Sequence, residues 1–441
     1  VTERTKPAFA LRLAAGTYRF RESLFLLPTL VVAGGLALAA LTTRIDDAIG
    51  DRPIPLTVSM DTTAATWLVS TVAGAMITTA GVVFSLTVVS LQLASSQFSP
   101  RVMRSFIRDR LSQLVIGLLV ATFVYCVLTL PSLRGEGTGP APRVSVTVAI
   151  VLAVVTVVAI IAHLDHLAHR LQVGHLARDI AAEGLAVIGR IRAEPRGLTR
   201  SEAALTPPAS VLRVHTDTGG WVSQVDTARL LAAVPAGTTV RLETRVGAYL
   251  HQGEPLVTVW PPPPLDDGAE RALAAAVAVS DSRTMQQDVD FALRQLVDVG
   301  LRALSAAIND PSTAVEVTLR VGGLMRELLV TDFARAVTDG RGRVLVRPWD
   351  LDHTEYIAHA FDQLRQAAPP QPQVVAALLR VLRMLIAHVE QAGRPEHVPA
   401  LRAQIDLLLD GVDAQSGLHP HDVARLHAMA ADATDPAEHG R

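Results

Sequence analysis

TTAATWLVSTVAGAMITTAGVVFSLTVVSLQLASSQFSP, residues 62–100, runs for 39 residues without an Asp, Glu, Lys or Arg. A helix needs about 20 apolar residues to cross a hydrocarbon core, and soluble helices of that length keep charges on their wet face. The stretch therefore reads as a membrane span, with helix expected over most of 64–95. At about 1.5 Å per residue such a helix is roughly 48 Å long, so it must tilt or extend beyond the bilayer. Within it Thr71, Thr78, Ser85 and Gln92 recur every seven residues, and Gly74 and Gly81 stand beside them at the same period. Small and hydroxyl residues let helices approach closely and hydrogen-bond across in lipid, so one reading of the stripe is a packing face. The other is the lining of a pathway, where hydroxyls replace part of the hydration shell of an ion or of water.

Three more stretches lack those four residue types for long enough to span: Leu24–Thr43, Leu111–Leu133 and Val144–Leu164. Four spans, at about 24–43, 64–95, 113–131 and 144–166, would make residues 1–175 a four-helix transmembrane domain. Composition agrees. The hydrophobic fraction of the 441-residue chain is 49 %, mean hydropathy is +0.32 and only 19 % of residues are charged. Residues 1–175 hold 14 basic and 9 acidic side chains, leaving 26 and 33 for the remainder. Arg4, Lys6, Arg12, Arg19 and Arg21 precede an apolar run too long for the core of a cleaved signal. The loop after the second span carries Arg101, Arg104, Arg108 and Arg110, whereas the first loop is acidic at Asp46, Asp47, Asp51 and Asp61. Basic residues stay on the cytoplasmic side, so both termini are expected in the cytoplasm of a multi-pass protein of the bacterial inner membrane.

After residue 175 the pattern becomes that of a soluble chain. Residues 176–208 read as a connecting helix and linker. Residues 209–262 alternate in strand fashion between turn residues, as a small β-barrel or sandwich. Their pattern GGWVSQVD…AGTTVRLETRVGAYLHQGEPLVTV resembles the hammerhead barrels that carry biotinyl or lipoyl groups. Those carriers need a lysine between the repeats, and none stands here. A scaffold is the expectation, followed by a stiff spacer at Pro261–Pro264. Residues 266–441 read as an α-helical cytoplasmic domain, so the whole is expected to be mainly α. In it Asp310 is placed to N-cap, and Pro311 to begin, a helix running to about Leu329.

Two motifs carry a resemblance. SLTVVSLQLASSQFSPR, Ser85–Arg101, followed by IRDRLSQLVIGLLVATFVYCVL, is similar to the central stretch of a bacterial family of predicted membrane proteins, domain of unknown function 2254. FALRQLVDVGLRALSAAINDPSTA, Phe291–Ala314, resembles the second signature of that family, with Ala306 and Ser312 where a proline and an aromatic are expected. The resemblance covers residues 20 to about 410. It implies a four-span inner-membrane protein with a C-terminal cytoplasmic part, and no activity.

Several chemistries are excluded or weak. Cys126 is the only cysteine, which rules out a disulfide framework or a multi-cysteine metal site. Lys6 is the only lysine, which rules out a P-loop ATPase or Schiff-base enzyme. A net charge of −2 argues against nucleic acid as a partner. Ser96, Gln97, Arg101, Arg104 and Arg108 would form a basic cytoplasmic collar that attracts anions or lipid headgroups, or that simply anchors the helix ends. His163 and His166, one turn apart, are a candidate pH or metal latch, though no cysteine or second carboxylate completes four ligands. Arg283, Asp288, Asp290, Arg294, Asp298, Arg302, Asn309 and Asp310 mix both signs along the second signature. Asp298 and Asp310 could act as paired acids, but no nucleophile and base accompany them, and a salt-bridged surface is the simpler reading. No enzyme and no cofactor is expected. Two function classes stay open: a homo-oligomeric channel for small ions or anions with a cytoplasmic assembly or gating domain, and a membrane-anchored scaffold or sensor whose cytoplasmic domain binds a partner.

Overall fold

The computed structural model describes residues 26–50, 55, 57–97, 110–133, 141–170, 173–192, 197–202, 206–262, 267–415 and 417–431. The chain divides into two compact units, Val1–Gln172 and Val173–Arg441.

In the first unit lie α1 (Leu26–Ile49), α2 (Thr62–Gln97), α3 (Arg110–Thr129) and α4 (Arg143–Arg170). α3 is the hub, packed by the other three, and it buries Val115, Leu119, Tyr125 and Cys126 completely. Two glycines set its distance from α1. A Cβ on Gly117 would stand 2.9 Å from Pro28 Cα, and one on Gly35 would stand 3.0 Å from Ala121 Cβ. Neither helix could come this close with a larger residue, and close backbone approach is the main source of attraction between helices in lipid. Polar contacts add register. Asp46, near the end of α1, accepts from Val144 N at 2.9 Å, Ser145 N at 2.8 Å and Ser145 Oγ at 2.7 Å, so it caps α4 from another helix. Tyr125 donates to the Ser145 carbonyl at 3.0 Å and lies 3.0 Å from Thr42 Oγ1. Thr122 and Thr156 join α3 to α4 at 3.0 Å.

The second unit combines sheet and helix. Its elements are α5 (Val173–Arg192), β1 (Thr199–Arg200), β2 (Leu212–His215), β3 (Gly220–Val225), α6 (Thr227–Ala232), β4 (Thr239–Leu242), β5 (Tyr249–Leu250), β6 (Pro255–Trp260), α7 (Asp267–Ala274), β7 (Val277–Ser280), α8 (Val289–Ala303), α9 (Pro311–Leu329), β8 (Ala336–Thr338), β9 (Val344–Val346), α10 (His353–Ala367), α11 (Pro372–Gln391), a 3-10 turn (Pro395–His397), α12 (Val398–Asp413) and α13 (Pro420–Ala431). Six strands run in the order β1-β8-β9-β4-β6-β2, and three more in the order β5-β3-β7. Every pair is antiparallel except β4 with β9, where Val240 lies opposite Leu345. The strands share one core that includes Val222, Leu230, Val240, Leu242, Val257, Val259 and Leu345.

The sheets do not close, so of the expected small barrel or sandwich the barrel is corrected to two open sheets around one core. The physical reason is where the partners come from. β4 finds its second neighbour in β9 and β3 finds one in β7, both outside residues 209–262. Alternation in sequence marks a strand but not which segment pairs with it. The helical part is a stack in which α8 and α9 meet α5 on one side and α10 and α11 on the other. Gly184 of α5 permits the first of these contacts, since a Cβ there would stand 2.9 Å from Ala292 Cβ. The protein is mainly helical, as expected.

Five helices among the described residues are long and apolar enough to cross a membrane: α1 to α4 and, in the second unit, α11. α11 buries Val374, Val375, Leu378, Leu379, Val381, Leu382, Leu385 and Val389 among its neighbours and turns Gln373, Arg380 and Glu390 outward.

Candidate functional site

α2 has two faces of different character. Ala65, Val69, Ala73, Met76, Ala80 and Val83 are buried, each three or four residues from the next, and pack within the first unit. Thr71, Thr78, Ser85 and Gln92 are all exposed, and so are Gly74 and Gly81. At about 100° per residue these six lie on the opposite side of the helix from the buried set. A Cβ on Gly74 or Gly81 would meet nothing within 4 Å. Thr78 Oγ1 donates to the Gly74 carbonyl at 2.8 Å and Ser85 Oγ to the Gly81 carbonyl at 2.9 Å. The hydroxyls thus satisfy their donors inside their own helix while keeping lone pairs directed outward. Around the stripe the outward face is apolar, with Trp67, Val82, Phe84 and Val89 exposed.

The remaining expected residues fall in several places. Ser96 and Gln97 belong to the last turn of α2. Arg101, Arg104 and Arg108 lie outside the described residues, and so does the collar they were expected to form. His163 is buried, with Nδ1 3.5 Å from Ser112 Oγ of α3, while His166 is half-buried. Among the described residues no three His, Cys, Asp or Glu side chains are grouped to hold a metal.

In the second signature the residues serve a helix–turn–helix. Asp310 accepts from Thr313 N at 3.1 Å and Thr313 Oγ1 at 2.6 Å, capping α9, and its own N–H donates to the Ala303 carbonyl at 2.8 Å. The Thr313 hydrogen bonds hold its carboxyl below the usual range. Asn309 adopts a left-handed φ of 47°, which asparagine tolerates better than most residues, and its Oδ1 accepts from Gln371 Nε2 at 3.0 Å. Asp310 thus caps the start of α9 at the turn between the two helices. Asp298 and Arg302 are half-buried on α8.

Arg294 leads to a denser cluster. Its Nε is 3.9 Å from Asp290 Oδ1, and Asp290 also accepts from Arg283 Nη2 at 2.7 Å and His359 Nδ1 at 2.7 Å. Arg283 donates from Nε to Asp288 Oδ2 at 2.6 Å, and Asp288 caps α8 through Phe291 N at 3.0 Å. The guanidinium lies over Trp221 and Phe291, 5.8 and 5.2 Å from their ring centres. Burial alone would raise the Asp290 carboxyl, but the hydrogen bonds from His359 and Arg283 outweigh it and hold it down at about 2. Gly247, at φ 81°, passes directly over Asp288 and Arg283, where no side chain fits. Asp288 and Asp290 also line an open cavity of about 480 Å³ with Arg190, Arg245, Arg347 and Tyr356.

The family of predicted membrane proteins DUF2254 matches residues 21–384. An uncharacterized protein of Mycobacterium bovis and one of Mycobacterium tuberculosis are each 32 % identical to the chain over 429 residues, covering 94 % of it and 81 % of each relative. The chain belongs to the DUF2254 family. No solved structure matches it. The DUF2254 match takes in the α2 stripe, the helix–turn–helix of α8 and α9, and the Asp290 cluster. It ends inside α11, before the turn at Pro395–His397. His359 was the member of that cluster that sequence reading missed. It lies 69 residues from Asp290 with no motif around it, and only the packing of α10 on α8 brings the two together.

Proposed function

We propose that this DUF2254 protein crosses the bacterial inner membrane four times through α1 to α4 and assembles as a homo-oligomeric channel for small ions or anions. The second unit would be cytoplasmic and serve assembly or gating, without enzymatic activity. Basic residues before α1 and between α2 and α3, against an acidic first loop, support that orientation. α11 is left out of the count because its apolar residues are already covered by protein and its outer face carries charge.

One observation carries the channel reading. The heptad of hydroxyls, with its glycines and Gln92, points away from the bundle that α2 packs on. Packing among the described residues therefore does not account for it. Lipid gains nothing from glycine, and the Gln92 amide cannot return both its donor and acceptor groups to its own helix. A second copy of α2 or water in a pathway accounts for both. The same face could be a contact between copies and nothing more, in which case the protein is a membrane-anchored scaffold.

Thr78→Leu separates the two. The parent in nanodiscs should be oligomeric by native mass spectrometry and should pass ions when reconstituted in liposomes. A pathway lining predicts that Thr78→Leu lowers flux while oligomer size and thermal midpoint stay near the parent. A packed contact predicts a smaller oligomer or lower midpoint. A monomeric parent, or one with no flux under any ion gradient, overturns the channel.

A further inference from the structure

At the C-terminus of α9 three side chains from three other elements reach backbone carbonyls, two in the last turn of the helix and one just beyond its cap. Arg192, at the end of α5, donates from Nη2 to the Glu327 carbonyl at 2.7 Å, from Nη1 to the Glu327 carboxylate at 3.0 Å and from Nε to Thr331 Oγ1 at 2.9 Å. His353, the first residue of α10, places Nε2 2.9 Å from the Thr331 carbonyl. His397, which ends the 3-10 turn, hydrogen-bonds the Leu329 carbonyl. A carbonyl only accepts, so each ring must carry its proton on the nitrogen that faces it. The two rings stack on each other, with centroids 4.3 Å apart and planes inclined by 34°. Phe333 closes the stack, 5.4 Å from His353. His397 is buried to 8 % exposure, and its Nε2 has no hydrogen-bond partner among the described residues. A neutral imidazole tolerates that position. A second proton would make a buried cation there.

We infer that His353 and His397 form an acid-sensitive latch, closed over the end of α9 while the buried His397 ring is neutral and loosened when that ring takes a second proton. A charged ring could still donate to its carbonyl, and a helix C-terminus favours a cation. The loosening comes instead from placing a charge on the His397 ring, which is buried, stacked on His353 and unpartnered at Nε2. Other charges around the pair set the balance. Glu396, 3.8 Å from His397 Nε2, favours protonation, while Arg394, 3.6 Å from Glu396, opposes it. Asp332 and Asp352 line an open cavity of about 550 Å³ together with both histidines, and each is engaged by an arginine: Arg200 at 2.6 Å and Arg335 at 3.5 Å. α10 adds Glu355 to its capping box with Asp352. α11 and α12, which also pack on the turn, bring His388, Glu390 and Arg402. Burial pushes His397 below its usual value, and the charge of His353 pushes it further. A histidine depressed in the closed state favours closure at neutral pH, and that contribution declines as pH falls below about 6.5. Acid therefore acts on the His397 contact. The Arg192 cap ties down α5, the helix that follows α4 in the chain.

Hydrogen exchange on the full chain in nanodiscs tests the latch, with rates corrected for their intrinsic pH dependence. Between about pH 7.5 and 5.5, peptides covering 328–333 and 394–399 should lose protection about tenfold, while β4 and β6 keep theirs. The double variant His353→Gln, His397→Gln retains an amide donor for each carbonyl but cannot titrate, and its protection should be flat over that range. Constant protection in the parent, or an equal loss in the double variant, overturns the latch. Should the variant fail to accumulate, the parent still decides. A loss centred below about pH 4.5 belongs to carboxylates and refutes the assignment to histidine.

Discussion

Asp290→Asn removes one charge from the Asp290 cluster while keeping its volume. Asp290 is 2 % exposed and meets Arg283 at 2.7 Å, His359 at 2.7 Å and Arg294 at 3.9 Å. Taking one partner from a buried ion pair costs about 3–5 kcal/mol, because the other is left uncompensated. Here Arg283 retains Asp288, and asparagine can still accept one hydrogen bond, so the loss should sit below that range, at about 2–3 kcal/mol. The depressed carboxyl gives the same size independently. Holding Asp290 at about 2 instead of its ordinary 3.8 corresponds to about 2 kcal/mol of stability at neutral pH. That stability is fully present above about pH 4 and disappears as pH falls through about 2, since protonation removes the charge that Arg283 and His359 hold. Urea titration of the full chain in detergent, followed by tryptophan fluorescence in a Trp67→Phe background, reports this unit, because the other three tryptophans, Trp221, Trp260 and Trp349, all belong to it. At neutral pH the variant should unfold at lower urea by the stated energy. Between about pH 4 and 2 the parent should lose stability that the variant has already lost, so their curves converge. A variant within about 0.5 kcal/mol of the parent at neutral pH would show that the cluster does not hold the unit together.

Two further outcomes concern the first unit. Tyr125→Phe deletes a fully buried hydroxyl that joins α1, α3 and α4, and should destabilise the bundle by about 0.5–2 kcal/mol, read as a lower midpoint in titration with sodium dodecyl sulfate. An unchanged midpoint would mean that lipid-exposed alternatives satisfy the same groups. For topology, cysteines placed at Gly50 and Gly137 in a Cys126→Ala background should react with an impermeant maleimide on intact cells, and labelling only after lysis would reverse the proposed orientation.

What the sequence discloses divides along local and non-local lines. The long apolar helices are legible because the absence of charge over a contiguous stretch is read one residue after another, so α1 to α4 announce themselves as candidate spans. The cap at Asp310 and Pro311 is legible for the same reason: both partners of its hydrogen bonds lie within four residues. The direction of the α2 stripe is not. Both sides of that helix are rich in small and apolar residues, so the heptad shows that a special face exists but not whether α3 or something outside the chain lies against it. Of the expected barrel or sandwich the closed barrel is not found, because β8 and β9 have three residues each and enter the sheet about a hundred residues after β4, too short to mark themselves and too distant to be paired by eye. His353 and His397 show the limit most sharply. Each is an isolated histidine in its own segment, 44 residues from the other, and a histidine in a polar turn is ordinary. Only when α10 and the turn before α12 converge on the end of α9 do the rings stack and find their carbonyls. A switch built from such a pair has no signature in sequence, because its chemistry resides in a distance and not in a spacing.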